Sequence, residues 1–308
     1  MTRTVKVAVA PETHEWYAGV RSAVDRTDAV VTDAADAEAL VWLGKHGDDL
    51  REYLHDGIKW VQLRAAGVEY WFETGEIDDK RVFTCSRGAY GDSVGEHAVA
   101  LILAAARKLH FCARAKEWDR VRGAGRVLRG ATVGIIGAGG IGQRAIEFLQ
   151  PFGPNIIAVT RSGREVEGAN ESRSSSELDD IWPRLDFAVI LAPATADTEG
   201  LVDKAVLDAL PEHAWVLNLA RGTLVDTDAL VDALRNGDIG GAALDVTEPE
   251  PLPTGHALWD LPNALITPHA ANPKSGQHHL LEGHITENVE RYLRGDDLLA
   301  VVDLEFGY

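Results

Sequence analysis

Three short segments in the last third of the chain carry the side chains best suited to chemistry. Each follows an apolar run: Asn218–Gly222 holds Arg221, Leu244–Pro251 holds Glu248 and Glu250, and Thr267–Ala271 holds His269. An arginine binds a carboxylate and polarises a carbonyl group. A histidine transfers protons near neutral pH, and an adjacent carboxylate keeps its ring oriented and protonated. Together these residue types predict the reduction of a 2-oxo acid.

A glycine-rich segment lies upstream of them. The apolar run Thr132–Ile136 leads into glycines at 137, 139 and 142, and a helical stretch, Gln143–Leu149, follows. In a dinucleotide-binding unit the first glycine makes the tight turn and the second lets the backbone approach a pyrophosphate. The third lets the helix pack on the strand, and the helix N-terminus offers its N–H groups to the anion. The predicted pyrophosphate-binding residues are Gly137, Gly139, Gly140, Ile141 and Gly142.

The end of the next predicted strand indicates which dinucleotide binds. Units that bind NAD carry Asp or Glu about 20 residues after the glycines, where it accepts a hydrogen bond from the ribose. Here no acid stands in that place, and the residues are Thr160, Arg161, Ser162 and Arg164. Two guanidinium groups and two hydroxyls suit a 2′-phosphate, which a carboxylate would repel. We therefore predict NADPH/NADP+ as the preferred cofactor, with NADH/NAD+ as a weaker one.

Short β-branched runs alternate with helical stretches along the whole chain. Strands are expected first at Val5–Ala10, Leu40–Gly44, Trp60–Leu63 and Val82–Cys85. Six more are expected at Thr132–Ile136, Ile156–Thr160, Phe187–Leu191, Trp215–Leu219, Gly241–Leu244 and Leu265–Thr267. Near-continuous apolar strands separated by helices are typical of parallel sheets covered on both faces. We predict an α/β fold of two Rossmann-like or flavodoxin-like domains, with the active site in a cleft between them.

Two long helical stretches mark the division of the chain. Ser93–His110 separates the two sets of strands, and Gln277–Leu293 lies near the C-terminus. We predict a discontinuous substrate domain of residues 1–94 and 277–308 around a nucleotide-binding domain of residues 95–276. The length of 308 residues fits two domains.

The chain is strongly acidic. Asp and Glu number 48 against 30 Lys and Arg, of which only eight are Lys, so the net charge is −18. This excludes a nucleic-acid partner bound through a general basic surface. It suits a halophilic protein, because concentrated salt screens self-repulsion, although an ordinary acidic cytosolic protein remains the alternative. The apolar runs are shorter than the roughly 20 residues that span a bilayer, and no signal peptide is recognisable, so we predict a cytoplasmic protein without a membrane partner.

Over nearly its whole length the sequence resembles the D-isomer-specific 2-hydroxyacid dehydrogenase family. The resemblance rests on Gly137–Gly142, Pro193–Gly200, Asn218–Gly222, Ala243–Pro253, Thr267–His269 and, less strongly, Val94–His97. It implies that Arg221, Glu250 and His269 are the catalytic residues of an NAD(P)-dependent oxidoreductase acting on a small 2-oxo acid or D-2-hydroxy acid. It also implies a homodimer, with helix Ser93–His110 as the contact element.

The same resemblance implies further contacts with the cofactor and the substrate. Cofactor contacts are expected at Ala192, Pro193, Thr198, Leu219, Ala220, Arg221, Asp245, His269 and Ala271. Substrate contacts are expected at Ala65, Ala66, Gly67, Arg221 and His269, the first three through backbone N–H groups that hold the carboxylate. No metal site is expected, and three histidines, His278, His279 and His284, have no assigned role.

Two alternatives stay open at this point. One is a glyoxylate/hydroxypyruvate reductase, which only a comparison of substrates separates from other members of the family. The other is a dinucleotide-sensing binding protein on the same scaffold, against which the intact Arg221, Glu250 and His269 argue.

Overall fold

A computed structural model describes residues 4–45, 47–121 and 123–305. Its strands are β1 Lys6–Ala10, β2 Val30–Val31, β3 Ala39–Trp42, β4 Trp60–Leu63, β5 Val82–Thr84, β6 Thr132–Ile136, β7 Asn155–Thr160, β8 Glu171–Ser174, β9 Phe187–Ile190, β10 Trp215–Asn218, β11 Gly241–Leu244 and β12 Ala264–Ile266. Its α-helices are α1 Tyr17–Asp25, α2 Glu69–Glu73, α3 Gly91–Ala106, α4 Leu109–Arg114, α5 Gly140–Leu149, α6 Leu178–Ile181, α7 Lys204–Ala209, α8 Thr227–Asn236 and α9 Lys274–Arg294. Short 3₁₀ helices lie at Ala34–Asp36, Leu50–Tyr53, Gln150–Phe152, Ser175–Glu177, Trp182–Arg184, Gly222–Leu224 and Ala257–Trp259.

The chain divides into two compact units. The first comprises Met1–Tyr90 and Pro273–Tyr308, and the second comprises Gly91–Asn272. The first unit contains a parallel five-stranded sheet in the order β2-β1-β3-β4-β5. Helices α1 and α9 pack together in this unit, and the apolar side of α9 is buried through Leu281, Ile285 and Val289.

The second unit contains a parallel seven-stranded sheet in the order β12-β11-β10-β9-β6-β7-β8. Strands β9 and β10 are buried along their whole length, which explains their uninterrupted apolar sequences. The strand order reverses at β6, with β7 on one side and β9 on the other. In open parallel sheets this switch point is where ligands bind, beyond the carboxyl ends of the strands.

The fold class is therefore confirmed, with two parallel-sheet α/β units, but three details of the sequence prediction were wrong. Strand β2 was missed because it has only two residues, and strand β8 because it is a polar, half-buried edge strand, ESRS, without an apolar run. The single helix expected at Ser93–His110 is two helices, because Lys108 takes a left-handed conformation with φ 52° and ends α3 before α4 begins. Within the described residues, no helix has the length and apolarity needed to cross a membrane.

Candidate active site

The predicted site residues of the second unit gather at the carboxyl edge of its sheet. Arg221 follows β10, Asp245 follows β11 and His269 follows β12. These three strands are neighbours in the sheet, so segments that are far apart in sequence lie side by side. The glycine loop follows β6 and the arginine-containing turn follows β7 along the same edge.

His269 and Glu250 form a direct pair. The Nδ1 atom of His269 lies 2.7 Å from Oε1 of Glu250, and both side chains are partly open to solvent. A carboxylate at Nδ1 orients the imidazole ring and stabilises its protonated form. The remaining nitrogen, Nε2, is then the one that can exchange a proton with a substrate. The structure thus brings together the two residues that the sequence placed 19 positions apart.

The buried carboxylate of Asp245 holds the loop that carries His269. Its Oδ1 accepts hydrogen bonds from the Thr267 hydroxyl (2.5 Å) and the Ala270 N–H (2.8 Å), and its Oδ2 accepts one from the Ala271 N–H (3.0 Å). Burial alone would raise the pKa of Asp245, but these bonds and one from His97 outweigh it and lower the pKa to about 2. Asp245 is therefore ionised near neutral pH, whatever further contact it makes with a cofactor.

A rigid turn presents Arg221. The Asn218 side chain is buried, donates to the Arg221 carbonyl (2.8 Å) and accepts from the Ala220 N–H (3.1 Å). Gly222 comes next, and a Cβ atom there would overlap the carbonyl group of Thr247 and the N–H of Glu248. The turn that carries Arg221 and the segment that leads to Glu250 are therefore in direct backbone contact, which only glycine permits.

The glycine loop has the three features that a dinucleotide site requires. Gly137 has φ 100°, and a Cβ atom there would overlap the backbone of Ala192. A Cβ atom on Gly142 would lie 2.8 Å from the Gly137 carbonyl oxygen, so helix α5 packs tightly against the turn. At Gly139, the N-cap of α5, nothing lies within 4 Å of such an atom, which leaves room for a phosphate group beside the helix N-terminus. These residues fit a bound dinucleotide.

The turn after β7 fits the same group. Thr160 closes β7, and its buried Oγ1 has no hydrogen-bond partner within the described protein. Arg164 reaches back to the glycine loop, where its Nη2 donates to the Ala138 carbonyl (3.0 Å). Arg161 and Ser162 are exposed between them. The turn therefore offers cationic and hydroxyl groups beside the glycine loop.

The other expected cofactor contacts border this edge. Ala192 and Pro193 follow β9, and the Thr198 hydroxyl donates to the Pro193 carbonyl (2.6 Å), which closes that loop. Leu219 and Ala220 belong to the turn after β10, and Ala271 is buried at the end of the His269 loop.

The remaining predicted residues belong to the first unit. Ala65, Ala66 and Gly67 connect β4 to α2 and are half-buried. His284 is structural, since its Nε2 lies 3.0 Å from the Cys85 carbonyl oxygen and burial lowers its pKa. The rings of His278 and His279 on α9 are in contact, with centroids 3.8 Å apart and planes tilted by 41°. Among residues 4–45, 47–121 and 123–305, no group of His, Cys, Asp or Glu side chains is arranged to hold a metal ion.

Two residues of helix α3 contact the His269 loop, although the sequence analysis gave them no role. The Ser93 hydroxyl donates to the Ala271 carbonyl (3.0 Å), and Nε2 of His97 lies 3.1 Å from Oγ1 of Thr267. Their spacing of four residues places both on one face of the helix. That spacing was visible in the sequence, but the contacts span 178 and 170 residues and leave no local signal.

Residues 99–271 match the family described as D-isomer specific 2-hydroxyacid dehydrogenase, NAD binding domain. A relative from Corynebacterium melassecola, described as an uncharacterized protein in the proB 3′ region, is 39% identical over 286 residues, or 90% of this chain and 92% of that protein.

Two solved structures cover almost the whole chain. The D-isomer specific 2-hydroxyacid dehydrogenase of Xanthobacter autotrophicus Py2, in complex with NADPH and MES, aligns with a TM-score of 0.85 and 26% identity over 99% of this chain and 100% of that chain. The NADPH-dependent glyoxylate/hydroxypyruvate reductase of Sinorhizobium meliloti, in complex with NADP and sulfate, aligns with a TM-score of 0.83 and 27% identity over the same shares.

Proposed function

Because the chain belongs to the D-isomer specific 2-hydroxyacid dehydrogenase family, we propose that it is an NADPH-preferring reductase that converts 2-oxo acids to D-2-hydroxy acids. The observation that carries this proposal is the 2.7 Å contact between His269 Nδ1 and Glu250 Oε1, two strand-end residues on the edge that also carries Arg221 and the glycine loop. A protein that only binds the dinucleotide would not need a histidine–carboxylate pair for proton transfer.

The chemistry assigns one task to each residue. A dinucleotide held by the glycine loop would supply the hydride that reduces the carbonyl carbon. His269 donates the Nε2 proton to the carbonyl oxygen, and Glu250 stabilises the imidazolium before transfer. The Arg221 guanidinium binds the substrate carboxylate and polarises the carbonyl group. In the oxidation direction His269 takes the proton back. The backbone N–H groups of residues 65–67 stay predicted ligands of the same carboxylate.

Initial rates measured at 340 nm test this function. Glyoxylate, hydroxypyruvate, pyruvate and longer 2-oxo acids are each compared with NADPH and NADH, in dilute buffer and in molar KCl. The salt series follows from the net charge of −18, which we propose reflects a halophilic, cytoplasmic origin. Turnover of a 2-oxo acid supports the proposal. Folded protein that binds NADPH tightly and turns over no acid would instead favour the dinucleotide-sensing alternative.

The cofactor preference depends on the turn after β7. The double variant Arg161→Ala/Arg164→Ala is expected to raise KM for NADPH about 10- to 100-fold while KM for NADH changes little, because each lost contact to a 2′-phosphate is a charge-assisted hydrogen bond. Steady-state kinetics with both cofactors measures this. Arg173→Ala is the matched control, since that arginine pairs with Glu171 and Glu177 instead. An equal rise in KM for both cofactors would show that the turn does not bind the 2′-phosphate.

A more specific candidate is a glyoxylate/hydroxypyruvate reductase. It is favoured by the similarity to the Sinorhizobium meliloti enzyme, whose described activity this is. The substrate panel separates the two: a kcat/KM that is highest for glyoxylate and hydroxypyruvate selects this candidate, and a preference for longer acids rejects it.

We propose that the homodimer forms through residues 107–129 and not through the whole of the predicted contact element Ser93–His110, because α3 packs on α5 within the same chain. The segment of residues 107–129 holds eight of the 30 Lys and Arg residues but only two of the 48 Asp and Glu. It also exposes Leu109, Trp118, Val121 and Val127, with Trp118 91% exposed. A cavity of 360 Å³ beside it is lined by Phe111, Ala115 and Pro262, among others. One surface thus carries both a protruding indole and a recess, as a two-fold contact between identical chains requires.

Trp118→Ala is expected to shift the mass in solution from a dimer towards the 33.3 kDa of one chain, because large exposed aromatic side chains dominate the energy of interfaces. Light scattering after size exclusion measures this. Leu304→Ala is the control, since Leu304 is also an exposed apolar residue but belongs to the first unit. A dimer that survives Trp118→Ala with unchanged affinity would place the interface elsewhere.

A further inference from the structure

Helix α3 contacts the His269 loop at two points on one face. Ser93 donates to the Ala271 carbonyl at 3.0 Å, and His97 lies 3.1 Å from the Thr267 hydroxyl oxygen. Ala271 and Thr267 are the two ends of the loop that carries His269. Helix α3 therefore contacts both ends of the loop, and the side chain of His269 lies at the centre of the loop.

The hydrogen count determines the direction of the bond from His97. The hydroxyl of Thr267 has one proton, and it lies 2.5 Å from Oδ1 of Asp245, a carboxylate that can only accept. Nε2 of His97 must therefore donate to the Thr267 oxygen, and it also lies 3.5 Å from Asp245 Oδ1. Hydrogen bonds thus run from His97 to Thr267 and from Thr267 to the buried carboxylate of Asp245.

This support matters because the loop is in a conformation that its residues do not favour. His269 has φ 50°, in the left-handed region that non-glycine residues enter at a cost in energy. The backbone N–H of His269 donates to the Asp245 carbonyl at 2.8 Å, and the next two N–H groups bind the Asp245 carboxylate. Such conformations persist only where surrounding contacts over-determine them.

Helix α3 also contacts α5, the helix that is proposed to bind the cofactor. A Cβ atom on Gly95 would lie 3.1 Å from the Ala145 backbone nitrogen, and one on Gly91 would lie 3.4 Å from the Gly140 carbonyl oxygen. Helix α3 thus packs closely on α5, which begins at the glycine loop. One rigid element contacts both the dinucleotide-binding helix and the His269 loop.

We propose that His97, supported by Ser93, is a positioning residue that holds the Thr267–Ala271 loop in the conformation from which His269 transfers its proton. This inference rests on the proposed function, because it assumes that His269 is the acid/base group. His97 acts through the loop and does not contact the substrate.

His97→Leu removes the donor at similar volume. It is expected to lower kcat about 10- to 100-fold, because small displacements of a reacting group are costly in rate. KM for NADPH is expected to rise less than kcat falls, because the glycine loop is untouched although the displaced loop holds the expected cofactor contacts His269 and Ala271. The solvent isotope effect on kcat rises as proton transfer becomes slower. His97→Gln keeps an N–H donor and is expected to recover most of the rate. A loss of stability alone would reproduce neither the isotope effect nor the recovery.

Amide hydrogen exchange gives a readout that does not depend on turnover. In His97→Leu the Ala270 and Ala271 amides are expected to exchange faster, while amides of β6 keep their protection. Unchanged exchange and unchanged kcat would overturn the inference. Should His97→Leu fail to fold, Ser93→Ala is expected to show the same pattern on a smaller scale, and no change in that variant counts equally against it.

His269→Gln separates this inference from the proposed function. If His269→Gln loses turnover while His97→Leu changes neither rate nor exchange, the function stands and the positioning role is wrong. If His269→Gln keeps full turnover, the proposed mechanism is wrong, and with it any role of His97 in proton transfer.

Discussion

Replacing His269 with glutamine is expected to lower kcat for 2-oxo acid reduction by about 100- to 10,000-fold, the range that general acid catalysis contributes. Glutamine is close to histidine in size and can still hydrogen-bond Glu250, so the loop keeps its local contacts. It cannot deliver a proton from an imidazolium, so the loss falls on kcat. Steady-state kinetics with saturating NADPH measures it.

The control for this variant is His213→Gln, because that histidine is exposed and pairs with Asp186 before β9, at the amino edge of the sheet and not at its carboxyl edge. NADPH binding, followed by fluorescence, should be unchanged in the control and should weaken in His269→Gln far less than kcat falls, because His269 is only one of the expected cofactor contacts. Wild-type turnover in a folded His269→Gln protein would remove His269 from the mechanism and leave Glu250 without a catalytic partner.

Arg221→Met is expected to lower kcat/KM for the 2-oxo acid by about 100- to 1,000-fold, the loss typical when a group that stabilises developing charge is removed. Two effects contribute, since the substrate carboxylate loses its cation and the carbonyl oxygen loses a polarising donor. Arg221→Lys should recover little, because an ammonium cannot reproduce a planar, two-pronged contact. Affinity for NADPH alone should change far less than kcat/KM.

Arg235→Met is the matched control, as Arg235 is an exposed arginine near the end of α8 that pairs with Asp232 of its own helix. If Arg221→Met keeps kcat/KM for the acid and loses affinity for NADPH instead, then Arg221 serves the cofactor, and another group must hold the substrate carboxylate.

The sequence predicted those parts of the site that depend on local patterns. The apolar strands were recognisable because both faces of each sheet are covered, and their ends position Arg221, Asp245 and His269 along one edge. The glycine loop was recognisable because each glycine is required by a different steric constraint, as the close backbone contacts at Gly137 and Gly142 show. The pairing of Glu250 with His269 followed from the family resemblance, since Glu248 stands two residues away with the same chemistry.

The parts that were missed depend on contacts between distant residues or on the absence of a pattern. Strand β8 is polar because it lies at the sheet edge, so no hydrophobic period marks it. The left-handed residue Lys108, which ends α3, is a helix-forming type in an apolar context. The hydrogen bond between His97 and Thr267 joins residues 170 positions apart, and neither residue type alone predicts it.

The backbone contact at Gly222 has a consequence for how this protein can be altered. Any side chain at this position would have to displace the carbonyl of Thr247, and with it the segment that leads to Glu250. Position 222 is thus restricted to glycine, although it adjoins Arg221, the proposed ligand of the substrate carboxylate. Variants with a changed substrate range must therefore carry their substitutions in other loops. In those loops a new side chain does not have to displace the backbone of a neighbouring segment.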